Sequence, residues 1–390
     1  MQTNSRTVWT ALISLVLLVS LSCKGSQQNA NQQTANTGGQ KLARWVNQYR
    51  SAASLKQTGV NLGFFYYSSI SVVSPSVVFV AGDVPGPKGD EDRVNVILRT
   101  TDGGQNWTEK TIEQPGFVIP RLNCIHFISR ELGWAVGVDP AQNGLMLKTT
   151  DGGENWTVSR IGANQIPMTI FFADAETGWM GGATPAAGDD EGTGGPSVIL
   201  GTTDGGRTWQ PQLNTPASIF DISFVNKTLG WASGTRGAIY HTDDGGRTWN
   251  SQRSELEYGD GPVNLASEGM KQFELLGIHF VDADHGFVAA SAQDEDTGRL
   301  LATSNGGAAW RKQWIVADSG VRDVFFVSPD EGWAVTDRGQ YVYHTADGGR
   351  SWLAEPKIFE QDVTMVRLGA ADAQHVWAVG GGGVFFRVSD

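Results

Sequence analysis

An eight-residue phrase written six times limits this chain more than any other feature. Thr-Thr-Asp-Gly-Gly-Arg-Thr-Trp stands at Thr202–Trp209, with near-copies at Thr100–Trp107, Thr149–Trp156, Thr242–Trp249, Thr303–Trp310 and Thr345–Trp352. A second phrase, Gly-Trp-Ala-Val-Gly or a variant of it, centres on Trp134, Trp179, Trp231, Phe287, Trp333 and Trp377, with a weaker copy at Phe79. These aromatics are 44 to 56 residues apart, the scale of a four-stranded propeller blade. Nine and seven residues before each stand paired, mostly apolar residues such as Ile125/Phe127 and Ile222/Phe224, an alternation that marks a strand. Each unit reads as strand a, turn, strand b with the aromatic, hairpin, strand c, box, strand d. The expected fold is all-β: a seven-bladed propeller of four-stranded antiparallel blades.

The ends of the chain fit closure of that ring. The seventh unit stops at Gly382–Asp390, in strand c, where a box and strand d should follow. Lys41–Arg50 offers Trp45 and an alternating tail, so the N-terminal strand is expected to pair with the C-terminal one and remove an open edge. Residues 41–390 are then a single propeller. Within it the box is a corner. Its acid (Asp102, Asp151, Asp204, Asp244, Asn305 and Asp347 in turn) accepts backbone N–H bonds in the c–d hairpin, and its glycines supply positive φ. Its tryptophan (Trp107, Trp156, Trp209, Trp249, Trp310, Trp352) begins strand d and tucks between sheets. Asn305 in the fifth copy favours a turn over a charge-based role.

The N-terminus reads as an export signal over residues 1–22, with the apolar stretch Val8–Ser22, followed by Cys23 and the polar tether Lys24–Gln40. Cys23 stands where bacterial lipoproteins carry lipid, although Ser20 replaces the leucine preferred three residues earlier. A lipidated Cys23 ranks first, an ordinary cleaved signal second and an uncleaved anchor third. In each, the body lies on the periplasmic or extracellular side, touching membrane only through the anchor. Cys124 then has no partner and reads as a buried, inert thiol. A net charge of -12 excludes general affinity for nucleic acid.

The boxes resemble the Asp-box (bacterial neuraminidase) repeat family over Phe64–Asp390. Taken with the Gly-Trp-Ala-Val-Gly phrases, the seven units and the exported start, the chain is most similar to the photosystem II stability and assembly factors of cyanobacteria and chloroplasts. That resemblance implies a non-enzymatic scaffold, without cofactor, that holds a membrane-protein assembly intermediate. It also implies an arginine-rich patch, for which this acidic chain offers no evident stretch.

Strand order places b–c hairpins and d–a connections on one face and the boxes on the other. The long insertions Gly82–Asn95, Gly182–Ser197, Ser291–Leu300 and Ser251–Gln272 all fall on the b–c/d–a face. Three of them carry acidic triplets: Asp90, Glu91 and Asp92; Asp189, Asp190 and Glu191; and Asp294, Glu295 and Asp296. Solvation alone accounts for these, and a surface for a protein partner is the functional reading. They lack the regular acidic alternation of a calcium loop, so no metal is assigned. A monomer is expected. The alternative function is a sialidase-like glycosidase with Arg121, Arg322 and Arg367 clustered at the central funnel. It lacks the Phe/Tyr-Arg-Ile-Pro phrase before the first box, the nearest string being Val118–Leu122. The six histidines form no close pair or zinc motif.

Overall fold

Alternating apolar residues punctuated by box and hairpin turns produce seven sheets in succession, as seen in a computed structural model. It describes residues 43–49, 66–86, 89–162, 165–184, 196–252, 255–258, 261–264, 273–292, 298–313, 320–336, 341–356, 365–381 and 383–388. The readings on Cys23, Asp189, Asp190, Glu191, Asp294, Glu295 and Asp296 lie outside these residues. Of Asp90, Glu91 and Asp92 only the backbone is described.

The chain enters through β1 (Arg44–Tyr49). Blade one is β2 (Tyr66–Val72), β3 (Val78–Gly86), β4 (Gly89–Thr100) and β5 (Thr108–Lys110). Blade two is β6 (Arg121–Phe127), β7 (Gly133–Val138), β8 (Gly144–Thr149) and β9 (Thr157–Gly162). Blade three is β10 (Ile166–Phe172), β11 (Gly178–Ala183), β12 (Ser197–Thr202) and β13 (Gln210–Thr215). Blade four is β14 (Ile219–Phe224), β15 (Gly230–Gly234), β16 (Ile239–Thr242) and β17 (Asn250–Ser251). A hairpin, β18 (Glu255–Tyr258) and β19 (Gly261–Asn264), precedes blade five, which is β20 (Phe273–Phe280), β21 (His285–Ala292), β22 (Gly298–Ser304) and β23 (Trp310–Gln313). Blade six is β24 (Val321–Phe326), β25 (Gly332–Thr336), β26 (Val342–Thr345) and β27 (Leu353–Ala354). Blade seven has β28 (Met365–Asp372), β29 (His375–Gly380) and β30 (Gly383–Val388) from the C-terminal end, and β1 is its fourth strand.

β1 runs antiparallel to β30, with Arg44 opposite Val388 and Trp45 opposite Arg387. β28 packs beside β2, so blade seven meets blade one and the circle is complete. The expected seven blades and their closure by the two terminal strands are therefore present.

Two insertions differ from the loops expected. Gly82–Asn95 is mostly strand, because β3 and β4 continue their pairing out to Gly86 opposite Gly89. Ser251–Gln272 contains β18 and β19. β18 pairs in parallel with β23, Leu256 opposite Trp310, and widens blade five to six strands. Neither segment has an alternation clear enough to signal a strand, so each reads as a loop in the sequence.

The core lies between blades and is largely aromatic. The strand-b aromatic of one blade stacks on the strand-a phenylalanine of the next. The pairs are Phe79 with Phe127, Trp134 with Phe172, Trp179 with Phe224, Trp231 with Phe280 and Phe287 with Phe326, centroids 3.4 to 3.6 Å apart. The box tryptophan of the second blade meets that phenylalanine edge-on, as Trp249 meets Phe224 at 5.9 Å and 90°. Flat and edge-on contacts both suit the ring quadrupoles. One three-ring unit thus repeats at five of the seven junctions.

Candidate functional site

The box geometry is local and repeated. In the first copy the Thr100 hydroxyl donates to Asp102 Oδ1 at 2.8 Å and accepts from the Gly104 N–H at 2.9 Å. Asp102 then receives the Asn106 N–H on Oδ1 and the Asn106 side chain on Oδ2. Asp151, Asp204, Asp244 and Asp347 repeat the arrangement with Asn155, Thr208, Thr248 and Ser351. Asn305 keeps the Oδ1 bond, to the Ala309 N–H at 2.9 Å, and its Ala309 has no side-chain donor for a second. The bonds from the residue four places on hold Asp102, Asp151, Asp204 and Asp244 down at about 2. Both glycines of every box have φ between 67° and 89°, where a side chain would be strained.

In five of the six boxes the first glycine also presents its carbonyl to the preceding blade. Trp134, Trp179 and Trp231 donate their indole N–H groups to Gly205, Gly245 and Gly306 at 3.1 to 3.2 Å. Glutamines on the neighbouring strand d donate to the same kind of carbonyl: Gln48 to Gly103, Gln212 to Gly245, Gln252 to Gly306 and Gln313 to Gly348. Each glutamine follows its tryptophan by three residues (Trp45, Trp209, Trp249, Trp310), so a Trp-x-x-Gln spacing in the sequence marks this contact. By that phase Trp45 stands for the missing seventh box tryptophan.

Where blade seven lacks a box, an ion pair fills in. Glu355, 3% exposed, accepts from Arg387 Nε and from Trp45 Nε1, each at 2.7 Å, so it grips both strands of the closure. The Arg387 guanidinium lies 5.4 Å from the Trp333 ring, where five junctions have a phenylalanine and blade seven has Ala370.

A third set of residues rings the axis. Each inner strand bulges near its start, and the residue after that bulge is Ser69, Cys124, Thr169, Asp221, Gly277, Asp323 or Arg367 in blades one to seven; β28 bulges again between Ala370 and Asp372. Several receive the N–H of a later blade's inner strand: Ser69 from Ile125, Asp221 from Ile278, and Asp323 from Leu368 at 2.7 Å. Arg367 lies 3.8 Å from Asp323 and reaches the Leu276 carbonyl two blades away. Burial raises Asp323 to about 7, against the pull of Arg367, and also raises Asp221. Cys124, expected as a buried inert thiol, is only half-buried and faces this ring, its Sγ 3.6 Å from the Ser69 hydroxyl. Burial raises its thiol as well.

The arginines weighed for a glycosidase are placed apart in role. Arg367 is engaged at the axis, Arg121 is exposed at the start of β6, and Arg322 is half-buried and has interactions of its own on β24. His126 and His279, half-buried, bond the Phe172 and Phe326 carbonyls of the next blade. Burial lowers both to about 4. Among the described residues, no three His, Cys, Asp or Glu side chains converge as metal ligands do.

The b–c/d–a face carries a feature that the sequence pattern does not signal. The connection between blades one and two, residues 111–120, is pinned at its base by buried Asn95. That amide donates to the Ile112 and Ile119 carbonyls and accepts the Ile112 N–H. Its tip is a tight turn, Phe117 N–H to the Gln114 carbonyl at 3.0 Å, with Gly116 at φ 83°. Beyond the turn Val118 is 65% exposed, one of two large apolar side chains so exposed among the described residues. The Arg160 guanidinium covers the neighbouring Phe117 ring at 5.4 Å. A groove of about 540 Å³ runs between this connection and the Arg93–Asn95 edge of β4.

The family model for photosystem II assembly factor YCF48 matches residues 92–170 and 209–270. The chain is a propeller with Asp-box repeats, and it is similar to the photosystem II assembly factors over the matched residues. Among solved structures, YCF48 bound to D1 peptide superposes with a TM-score of 0.60 at 17% identity, covering 90% of this chain and 98% of that one. YCF48 from Cyanidioschyzon merolae gives 0.58 at 19% identity, covering 88% and 98%. A streptogramin B lyase gives 0.61 at 10% identity, covering 90% and 98%, so the propeller fold alone is shared across different chemistries. No curated protein matches the sequence. In this propeller the six boxes belong to the interlock between blades, and among the described residues the 111–120 connection carries the most exposed large apolar side chain, Val118.

Proposed function

We propose that this propeller is an exported, non-enzymatic scaffold that holds a protein segment on its b–c/d–a face. The observation that carries the reading is the pinned 111–120 connection. A chain held rigid by Asn95 presents Phe117 and Val118 beside a groove, and a preorganised apolar contact loses little freedom on binding. Likeness to the assembly factors supports a polypeptide as the occupant, since one solved relative is bound to D1 peptide. The acidic triplets Asp90–Asp92, Asp189–Glu191 and Asp294–Asp296, which fall in b–c connections of the sequence, are read as steering the partner. The apolar stretch Val8–Ser22 and Cys23 support export and a lipid anchor.

The test is binding of a labelled D1-type peptide by fluorescence anisotropy, beside a screen of fluorogenic glycosides. Saturable binding weakened at least tenfold by Val118→Asp supports the proposal. Absence of peptide binding, or glycoside turnover that disappears on replacing Arg121, Arg322 or Arg367, overturns it.

A further inference from the structure

The axial ring sets two carboxylates against one guanidinium. Asp323 on β24 has Arg367 of β28 at 3.8 Å on one side. On the other is Gly277 of β20, where even a Cβ would come within 2.5 Å of Oδ1. Asp221 of β14 accepts the N–H of Ile278, the residue next to Gly277, so both carboxylates stand at the same step of β20, within the field of the one guanidinium. Among the described residues, the Cys124 thiol of β6, the Ser69 hydroxyl of β2 and Thr169 of β10, which donates to Asp221 at 3.3 Å, stand beside the pair and are uncharged. Arg322, next to Asp323 on β24, is half-buried with interactions of its own. Among the described residues, Arg367 is the cation that acts on both carboxylates.

Two negative charges against one positive are costly away from bulk water, and the excess is relieved when one acid takes a proton. Both acids also accept backbone N–H bonds from the inner strand of the following blade: Asp221 from Ile278 in blade five, Asp323 from Leu368 in blade seven. Their charge state therefore bears directly on two junctions between blades.

We propose that Asp221 and Asp323 hold one proton between them near neutral pH, and that this proton fastens the ring at its axis. The direction follows from the burial that raises both acids. An unfolded aspartate titrates at about 3.9. Between there and about 7, where Asp323 is held, the folded ring keeps a proton that the unfolded chain has lost. Stability from this source is present at mildly acidic pH and lost as pH rises through neutrality. His126 and His279, lowered to about 4, act in the opposite sense below about 6.5, so the acids must be isolated by difference.

Thermal and urea unfolding of the whole propeller, Asp323→Asn and Asp221→Asn across pH 5.5 to 8.5 isolates them. An asparagine keeps an oxygen for the backbone bond and removes the titration. The expected result is that the parent gains on Asp323→Asn as pH falls from 8.5 to 6, with a difference slope approaching one proton taken up on folding. Carbon-13 carboxyl shifts of the unsubstituted protein give a second readout that needs no variant: one ring aspartate should titrate with a midpoint above 6. Parallel stability profiles for a folded variant, or both ring aspartates titrating below pH 5, overturn the proposal.

Discussion

Trp377 of the last blade donates its indole N–H to Oε1 of Gln48 on the first strand, 3.1 Å away, and the Gln48 amide donates in turn to Gly103. In blades two, three and four the strand-b tryptophan reaches the box carbonyl directly, as Trp179 reaches Gly245. At the closure a glutamine from the opposite end of the chain is inserted between them. One side chain thus ties blade seven to blade one. Gln48→Ala should lower stability by about 1–3 kcal/mol, since it leaves a buried indole N–H without its acceptor. Urea unfolding of this variant beside Gln252→Ala checks it. In the latter Trp231 keeps its own bond to Gly306, and the loss should be smaller.

Glu355 should be the costlier residue to remove. Glu355→Ala leaves Arg387, 8% exposed, without a counter-charge and Trp45 without an acceptor. Losing one partner of a buried pair costs about 3–5 kcal/mol. Glu355→Gln keeps an acceptor and should lose less. Equal losses for both would mean that charge has no part in the clamp.

The missing seventh box leaves a mark on Trp333. Its indole N–H is buried and has no acceptor, whereas that of Trp179 donates to Gly245 at 3.1 Å. Trp179→Phe should therefore cost about 1 kcal/mol more than Trp333→Phe through the lost hydrogen bond. Phe79 and Phe287 already occupy this position in blades one and five. Calorimetric melting of the two variants decides between this and equal roles for all strand-b tryptophans.

Acid should loosen the boxes together. Asp102, Asp151, Asp204 and Asp244, held at about 2, contribute stability that is fully present above about pH 4 and lost as pH falls towards 2. Changing all four to asparagine should flatten that acid limb and leave the melting temperature at pH 7 little changed, as Asn305 holds the same backbone bond. Monitoring unfolding by tryptophan fluorescence from pH 5 to 2 gives the comparison.

Much of the architecture is legible in the sequence because its units are local. The Thr-x-Asp-x-Gly-x-x-Trp turn closes on itself through bonds spanning two and four residues, so its written form survives in each copy. The order of strands follows from the Phe127- and Trp134-type positions. The contacts between blades are harder to read. Gln48, Glu355 and Arg387 act on residues distant in the chain; Gln48 keeps the repeated Trp-x-x-Gln spacing, whereas Glu355 stands where that spacing has glutamine in other copies. The axial residues are obscured for another reason: Ser69, Cys124, Thr169, Asp221, Gly277, Asp323 and Arg367 share a place and no chemistry. Val118 stands in a connection with no counterpart in other units, so repetition does not single it out.

The shared seventh blade has a consequence for synthesis. Trp45 and Gln48 leave the ribosome early, yet their partners Glu355 and Trp377 lie 310 and 329 residues downstream. Until those emerge, the nascent chain carries an unmated strand at its head and an unfilled edge at its tail, the sort of surface that invites aggregation. Completion of the wheel is therefore a late, long-range event, and slow by the usual dependence of folding rate on sequence separation. Premature truncation anywhere before β30 should leave the leading strand without a docking place, however well the intervening blades have formed.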